Sequence, residues 1–364
     1  MVSAYAFAPW KNGHAWCIDG PGDDFSAAAR QRLSAARASP VIRHLLRPFG
    51  ILLAIVASAY FVMHAYRALD DQNIAALLDA RVLLSTAALS LLYALLIPTT
   101  GMAWTWLLRS LGQDAKSSRL IAILATTQFG KYLPGNVAQH IGRIGLARAY
   151  GVALPATVFS MAYETLLTAV ACGHISALAL IWAPPSYLSI WPLAHYRVPL
   201  LIAISIAAVL VLLIVPHLSL RIARYRAIQR GQHDYVPPKL RLDWFSIGKC
   251  YATYLINFML VGAGLWLVAR VLPDSGTTTP SVAFLTGAFA CSWILGFLAP
   301  GAPAGLGIRE AMLSQWLVGS MPAASIVVLI LLLRVSTTLG DLLNFIWGSI
   351  AIGRWRRRDV SAGS

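Results

Sequence analysis

Between Pro300 and Gly307 the chain places five helix breakers, Pro300, Gly301, Pro303, Gly305 and Gly307, inside an otherwise apolar stretch running from Leu285 to Met312. No continuous helix survives that run, because proline lacks a backbone N–H and interior glycine is costly. The apolar piece before the break holds about fourteen residues. A ~30 Å hydrocarbon core needs about 20 helical residues to cross. Non-helical backbone at membrane depth persists only where protein or a water-filled cavity shelters its polar groups. The stretch is therefore expected to be a re-entrant hairpin whose broken tip lines a polar cavity. Two ordinary spans joined by an exposed loop are the alternative.

A second copy lies upstream, in Leu124 to Tyr150. Gly130, Pro134, Gly135, Ala138 and Arg143 match Gly296, Pro300, Gly301, Ala304 and Arg309 at one constant offset of 166 residues. Gly151 and Pro155 face Gly319 and Pro322 at nearly that offset. Paired interrupted hydrophobic segments in corresponding halves point to a transporter binding site.

Only 12% of the 364 residues are charged and 58% are hydrophobic. Soluble domains carry about 25% charged residues, so the composition is that of an integral membrane protein. The net charge of +15 could suggest nucleic acid. The Lys and Arg residues cluster outside the apolar runs, however, where they report membrane orientation. Cys17, Cys172, Cys250 and Cys291 stand singly with no CxxC, so neither a disulfide nor a zinc site is predicted and packing is their expected role. No metal and no cofactor are implied, and no P-loop, Rossmann glycine pattern, HExxH or GxSxG occurs. The chain is read as a non-enzyme.

Residues 1–48 read as a polar and basic tail without a signal peptide. Full crossings are predicted near 49–66, 82–108, 154–182, 198–215, 247–272 and 323–352, with hairpins near 120–150 and 285–312 and a basic tail at 356–364. The tail, the 109–119 loop, the 216–249 loop and the C-terminus are rich in Lys and Arg. The 67–81, 184–197 and 270–281 loops are poor. Six crossings and two hairpins alternate these loops without contradiction, which places both termini in the cytoplasm of an inner-membrane protein. The first hairpin then enters from the cytoplasm and the second from the far side. The expected fold is an all-α polytopic bundle, its transmembrane part at 49–355 divided into inverted halves of about 82–183 and 247–353.

Ionisable groups inside apolar runs are costly and usually functional. Glu164 lies near mid-depth of its span, and Arg334 and Asp341 lie seven residues apart on the last one. That spacing is about two helical turns and puts both on one face. An internal ion pair of Arg334 with Glu164 or Asp341 is the structural alternative to a substrate contact. Arg143 and Arg309 open the second limb of each hairpin just past the break. Guanidinium forks bind phosphate bidentately, and a helix N-terminus adds unpaired N–H groups. Lys131 and Glu310 flank the two breaks and tune that charge, although snorkelling and helix-start electrostatics explain them equally well. Gln128, His140, His174 and Asn257 are expected to join helices rather than hold a ligand.

With FGKYLPGNVAQHIGRIGLARAYG and FLAPGAPAGLGIREAML in view, the chain resembles the lysylphosphatidylglycerol synthase transmembrane-region family. The likeness covers roughly residues 49 to 355. The family's K-Y-[IL]-P-G signature is matched by Lys131, Tyr132, Leu133, Pro134 and Gly135. Its P-G-G-[LIV]-G-x-R-E signature is matched by Pro300, Gly301, Gly305, Leu306, Gly307, Arg309 and Glu310, with Ala302, Pro303 and Ala304 interrupting it. Full-length members carry an extra soluble aminoacyl-transfer domain, absent from these residues, so the resemblance implies the flipping half. It implies translocation of an amino-acylated, glycosylated or polyprenyl-linked lipid.

The expected function is a flippase for a lipid with a phosphate-bearing head group. Arg143, Arg309 and Arg334 would bind the phosphate, while Glu164 and Asp341 would hold these arginines when empty or contact a cationic head group. An intramembrane lipid-phosphate transferase and a scaffold for envelope-lipid synthesis are the alternatives. Expected partners are lipids with anionic head groups, not nucleic acid. A second copy of the chain and envelope-lipid biosynthesis enzymes are compatible with this reading.

Overall fold

The computed structural model describes residues 63, 79–132, 138–182, 196–229, 243–272, 279–298, 305 and 307–361. The span expected at 49–66, the N-terminal tail and the hairpin tips Pro134, Gly135, Pro300 and Gly301 lie outside these residues.

Every regular element among the described residues is helical. In chain order these are α1 (Ala80–Ala94), α2 (Leu96–Ser110), α3 (Ser117–Gln128), a 3-10 turn (Phe129–Tyr132), α4 (Ala138–Ala149) and α5 (Leu154–Trp182). There follow α6 (Arg197–Gln229), α7 (Trp244–Ala269), α8 (Val282–Leu298), α9 (Ile308–Leu317) and α10 (Ala323–Ser361). Ala80–Ser110, Leu154–Trp182, Trp244–Ala269 and Ala323–Trp355 are long and apolar enough to cross a bilayer. The protein is a multi-pass α-helical membrane protein.

Helices α1 and α2 are nearly one span, and Pro98 shows how the break is tolerated. A proline cannot donate to the carbonyl four residues earlier, which here belongs to Ala94. Asn344 Nδ2 on α10 donates to that oxygen at 3.0 Å and to Gly340 O at 2.9 Å. A side chain from the last span thus replaces the missing backbone donor of the first.

Helices α7 and α10 pack on α1, and α8 lies against both α5 and α7. Leu89, Val261, Leu265, Leu285 and Leu329, all 0% exposed, belong to the largest buried cluster. Backbones approach closely through small residues, as in other helical membrane proteins; a Cβ at Gly287 would meet the Ala179 Cβ at 2.0 Å. Cys172, Cys250 and Cys291 are buried free thiols, and Cys172 Sγ donates to Ala290 O at 3.0 Å. Their role is packing, as expected. Val198, Ile202, Ile206 and Val209 form one exposed face of α6, the surface a span offers to lipid.

The apolar stretch of α6 ends at Ile214, close to the expected bound, but the loop expected after it needs correction. Helix α6 continues to Gln229 and α7 begins at Trp244, so much of the expected 216–249 loop is helical. Hydropathy falls there, but Leu, Arg and Ala remain good helix formers, and a helix does not end where its apolarity does. For the same reason α10 runs beyond 352 through the arginines to Ser361.

Each interrupted stretch forms two helical limbs that pack on one another, α3 on α4 and α8 on α9. At 1.5 Å rise per residue these limbs are about 15 to 26 Å long, short of a ~30 Å core. The limbs meet at equivalent positions. A Cβ at Gly130 would lie 2.7 Å from the Gln139 nitrogen, and one at Gly305 would lie 3.2 Å from Gly296 Cα. Gly130 and Gln139 become Gly296 and Gly305 at the offset of 166 read from the sequence. Gly151 and Gly319, with φ of 83° and 81°, follow the second limb of each copy.

Candidate functional site

Three buried ion pairs tie the hairpins to the long spans. Lys131, in the turn after α3, reaches Asp341 Oδ2 on α10 at 2.6 Å. The Tyr132 hydroxyl donates to the same oxygen at 2.6 Å. Arg143 on α4 grips Glu164 on α5 with two nitrogens, Nη1 donating to Oε1 at 3.1 Å and Nη2 donating to Oε2. Its guanidinium also lies 3.8 Å from the centre of the Trp104 ring, and Trp104 Nε1 donates to Ser160 Oγ at 2.9 Å. Arg334 Nε on α10 donates to Glu310 Oε1 on α9. Arg143, Glu310 and Asp341 are only 6%, 6% and 2% exposed.

Arg309 differs from these cations. No carboxylate lies within ion-pairing distance of it among the described residues, and its guanidinium stands 5.3 Å from the Phe289 ring centre. Its stem threads between two glycines. A Cβ on Gly296 would come within 2.4 Å of Arg309 Cγ, and one on Gly305 within 2.8 Å of Cδ. Gly305 and Gly307 have φ of 69° and 80°, which side-chain-bearing residues rarely adopt. The glycines of the second break therefore shape a slot for this side chain.

The charges surround two adjoining cavities. One, of about 270 Å³, is lined by Lys131, Arg309 and Arg334 and by no Asp or Glu among the described residues. Asp341 and Glu310 sit behind Lys131 and Arg334 rather than in its wall. The other, of about 230 Å³, is lined by the Arg143–Glu164 pair together with Thr, Gln, Asn, aromatic and aliphatic side chains. Tyr93, Gln128, Gln139, His140, Thr165, Trp293 and Phe297 border both. Four cations against three carboxylates leave one positive charge in excess. Arg143 Nε, Arg334 Nη2, Glu310 Oε2 and Asp341 Oδ1 are buried without a hydrogen-bond partner among the described residues. Such atoms cost about 1–3 kcal/mol each when left unmade.

All seven charged residues singled out in the sequence thus lie at or directly behind these cavities. Two expectations need correction. Arg334 pairs with Glu310, not with Glu164 or Asp341, because two turns separate Arg334 from Asp341 by about 10 Å along the axis. Arg143 does not open its limb: α4 starts at Ala138, whereas the positive φ of Gly305 and Gly307 delays α9 to Ile308. Only Arg309 sits in a first helical turn. Lys131 is engaged internally with Asp341 rather than snorkelling, and Asn257 and His174 do join helices, to Thr99 and Thr100 and to Tyr251.

Sequence reasoning missed the Trp104 stack, the roles of Tyr93 and Tyr132, and the Trp293–Phe297 wall. The last two rings are parallel within 3° at a 5.2 Å centroid spacing. Aromatics four apart in an apolar run carry no signal separating cavity wall from core.

A family model described as the lysylphosphatidylglycerol synthase TM region matches residues 50–343. No curated protein matches the sequence.

Proposed function

The chain belongs to the lysylphosphatidylglycerol synthase transmembrane-region family, and from that premise we propose that it is a flippase moving a phosphate-bearing lipid between leaflets. Membership itself gives a lipid-related membrane function. The observation that carries the finer reading is the cavity whose charged lining among the described residues is Lys131, Arg309 and Arg334. Cations in a sheltered cavity attract an anion strongly, and guanidinium forks match phosphate geometry. Arg309 is the primary phosphate ligand. Arg334 and Lys131 assist from pairs that loosen as the head group enters, while Arg143 stays locked on Glu164 and Trp104.

In this reading the two short-limbed hairpins are re-entrant and belong to inverted halves at about 82–183 and 247–353 of a 49–355 transmembrane unit. Tails at 1–48 and 356–364 are cytoplasmic, and the membrane is the inner one. The constant-offset limb contacts and the basic loops support this arrangement. The transferase alternative needs Glu164 or Asp341 as a free base, yet both already accept from cationic donors.

The test is a leaflet-exposure assay in proteoliposomes with labelled anionic phospholipid. Wild type is expected to translocate, with Arg309→Ala and Arg334→Ala slowed at least tenfold. Equal rates in all three would remove the assigned site.

A further inference from the structure

We infer that the head group has two parts, a single phosphodiester and a neutral, hydroxyl-rich substituent such as a sugar or polyol, rather than a cationic aminoacyl group. This rests on the phosphate-lipid reading above and extends it to substrate class. The two adjoining cavities differ in chemistry. Lys131, Arg309 and Arg334 line the first. The second has its one carboxylate, Glu164, already held by two nitrogens of Arg143, so its charged groups cancel.

What remains in the second cavity is uncharged, an apolar wall that includes Leu96, Ile97, Leu124 and Met161 set with neutral hydrogen-bonding groups. Thr127, Thr165 and Thr168 are among its lining residues, Thr165 at the border with the first cavity, and each hydroxyl spends its proton on a backbone carbonyl of its own helix at 2.8, 3.0 and 2.9 Å. A hydroxyl that donates keeps lone pairs to accept, which suits the O–H donors of a polyol. The Trp293–Phe297 wall supplies flat apolar surface for the C–H side of a ring. Electrostatics selects against the alternative. One excess positive charge is neutralised by one phosphodiester; a lysyl substituent would return cations to a site where four cations already outnumber three carboxylates, and like charges brought together in a sheltered cavity repel strongly.

The test titrates the detergent-solubilised full chain with four short-chain lipids, following tryptophan fluorescence. Phosphatidylinositol carries phosphate and neutral polyol, phosphatidic acid the phosphate without polyol, lysylphosphatidylglycerol the phosphate with cations, and monoglucosyl diacylglycerol the sugar without phosphate. Phosphatidylinositol is expected to bind at least tenfold tighter than the last two and several-fold tighter than phosphatidic acid. Thr127→Val and Thr168→Val, which touch only the second cavity, are expected to lower phosphatidylinositol affinity toward that of phosphatidic acid, leaving phosphatidic acid binding unchanged. Lysylphosphatidylglycerol binding as tightly as phosphatidylinositol, or phosphatidic acid matching it, overturns the two-part head group while the phosphate reading stands. Monoglucosyl diacylglycerol binding as tightly as phosphatidylinositol overturns the phosphate reading itself.

Discussion

Arg334 and Asp341 lie two turns apart on α10 and are tied to different hairpins, Arg334 to Glu310 on α9 and Asp341 to Lys131 beside α3. One helix therefore carries a charged contact to each interrupted stretch. Any shift of α10 along its axis is felt at both, which makes it the element through which the two could be coupled.

The Lys131–Asp341 pair is buried, and removing one partner strands the other charge. Lys131→Met and Asp341→Asn are each expected to lower stability by about 3–5 kcal/mol, with the double change costing clearly less than the sum. Thermal unfolding of the purified protein checks this. Additive losses would mean that the pair does not interact.

The hairpin arginines, equivalent in sequence, should respond differently to lysine. Arg143→Lys loses the second hydrogen bond to Glu164 and the stack on Trp104, and a stability loss of about 1–3 kcal/mol is expected. Arg309→Lys breaks no ion pair and should cost less stability than Arg143→Lys while weakening phosphate-lipid binding. Measuring melting and binding on both variants separates locking from ligation.

Gly305→Ala would force an alanine into positive φ, at about 1–2 kcal/mol, and push its methyl into the Arg309 stem. Translocation is expected to fall as far as in Arg309→Ala. Combined with Arg309→Ala, it should produce no further loss of transport. A further drop would show that the glycine acts by some route other than that side chain.

Asn344→Leu leaves the Ala94 carbonyl without a donor and is expected to destabilise by about 1–3 kcal/mol. Pro98→Ala restores the backbone N–H to that oxygen, so Asn344→Leu should cost less in its background. Equal costs in both backgrounds would refute the substitution of donors.

At the start of α7, the Ser246 hydroxyl and then the Phe245 N–H donate to the Asp243 carboxylate, holding its pKa below the ordinary 3.8. A lowered native pKa gives stabilisation that is complete above the unfolded value and lost as pH falls through the lowered one. Amide exchange at Phe245 and Ser246 should therefore show protection that is steady above about pH 4 and declines below it. Asp243→Asn should abolish that dependence.

Much of this was legible because membrane chemistry writes itself into composition. The spans Leu154–Trp182 and Trp244–Ala269 follow from apolar length alone, and the limb contacts Gly130–Gln139 and Gly296–Gly305 fall on the offset already visible in the sequence. Burying a charge in an apolar run is so costly that position alone marked Glu164, Arg334 and Asp341, while Lys131, Arg143, Arg309 and Glu310 stood out beside the two Pro/Gly breaks. Which cation meets which carboxylate was decided by packing. Partners such as Arg334 and Glu310 lie on different helices, and their contact depends on where α9 rests on α10, which no local spacing encodes. The same holds for the cation-lined cavity: residue types determine that charges are present, and only the tertiary arrangement turns three cations inward and sets two carboxylates behind them.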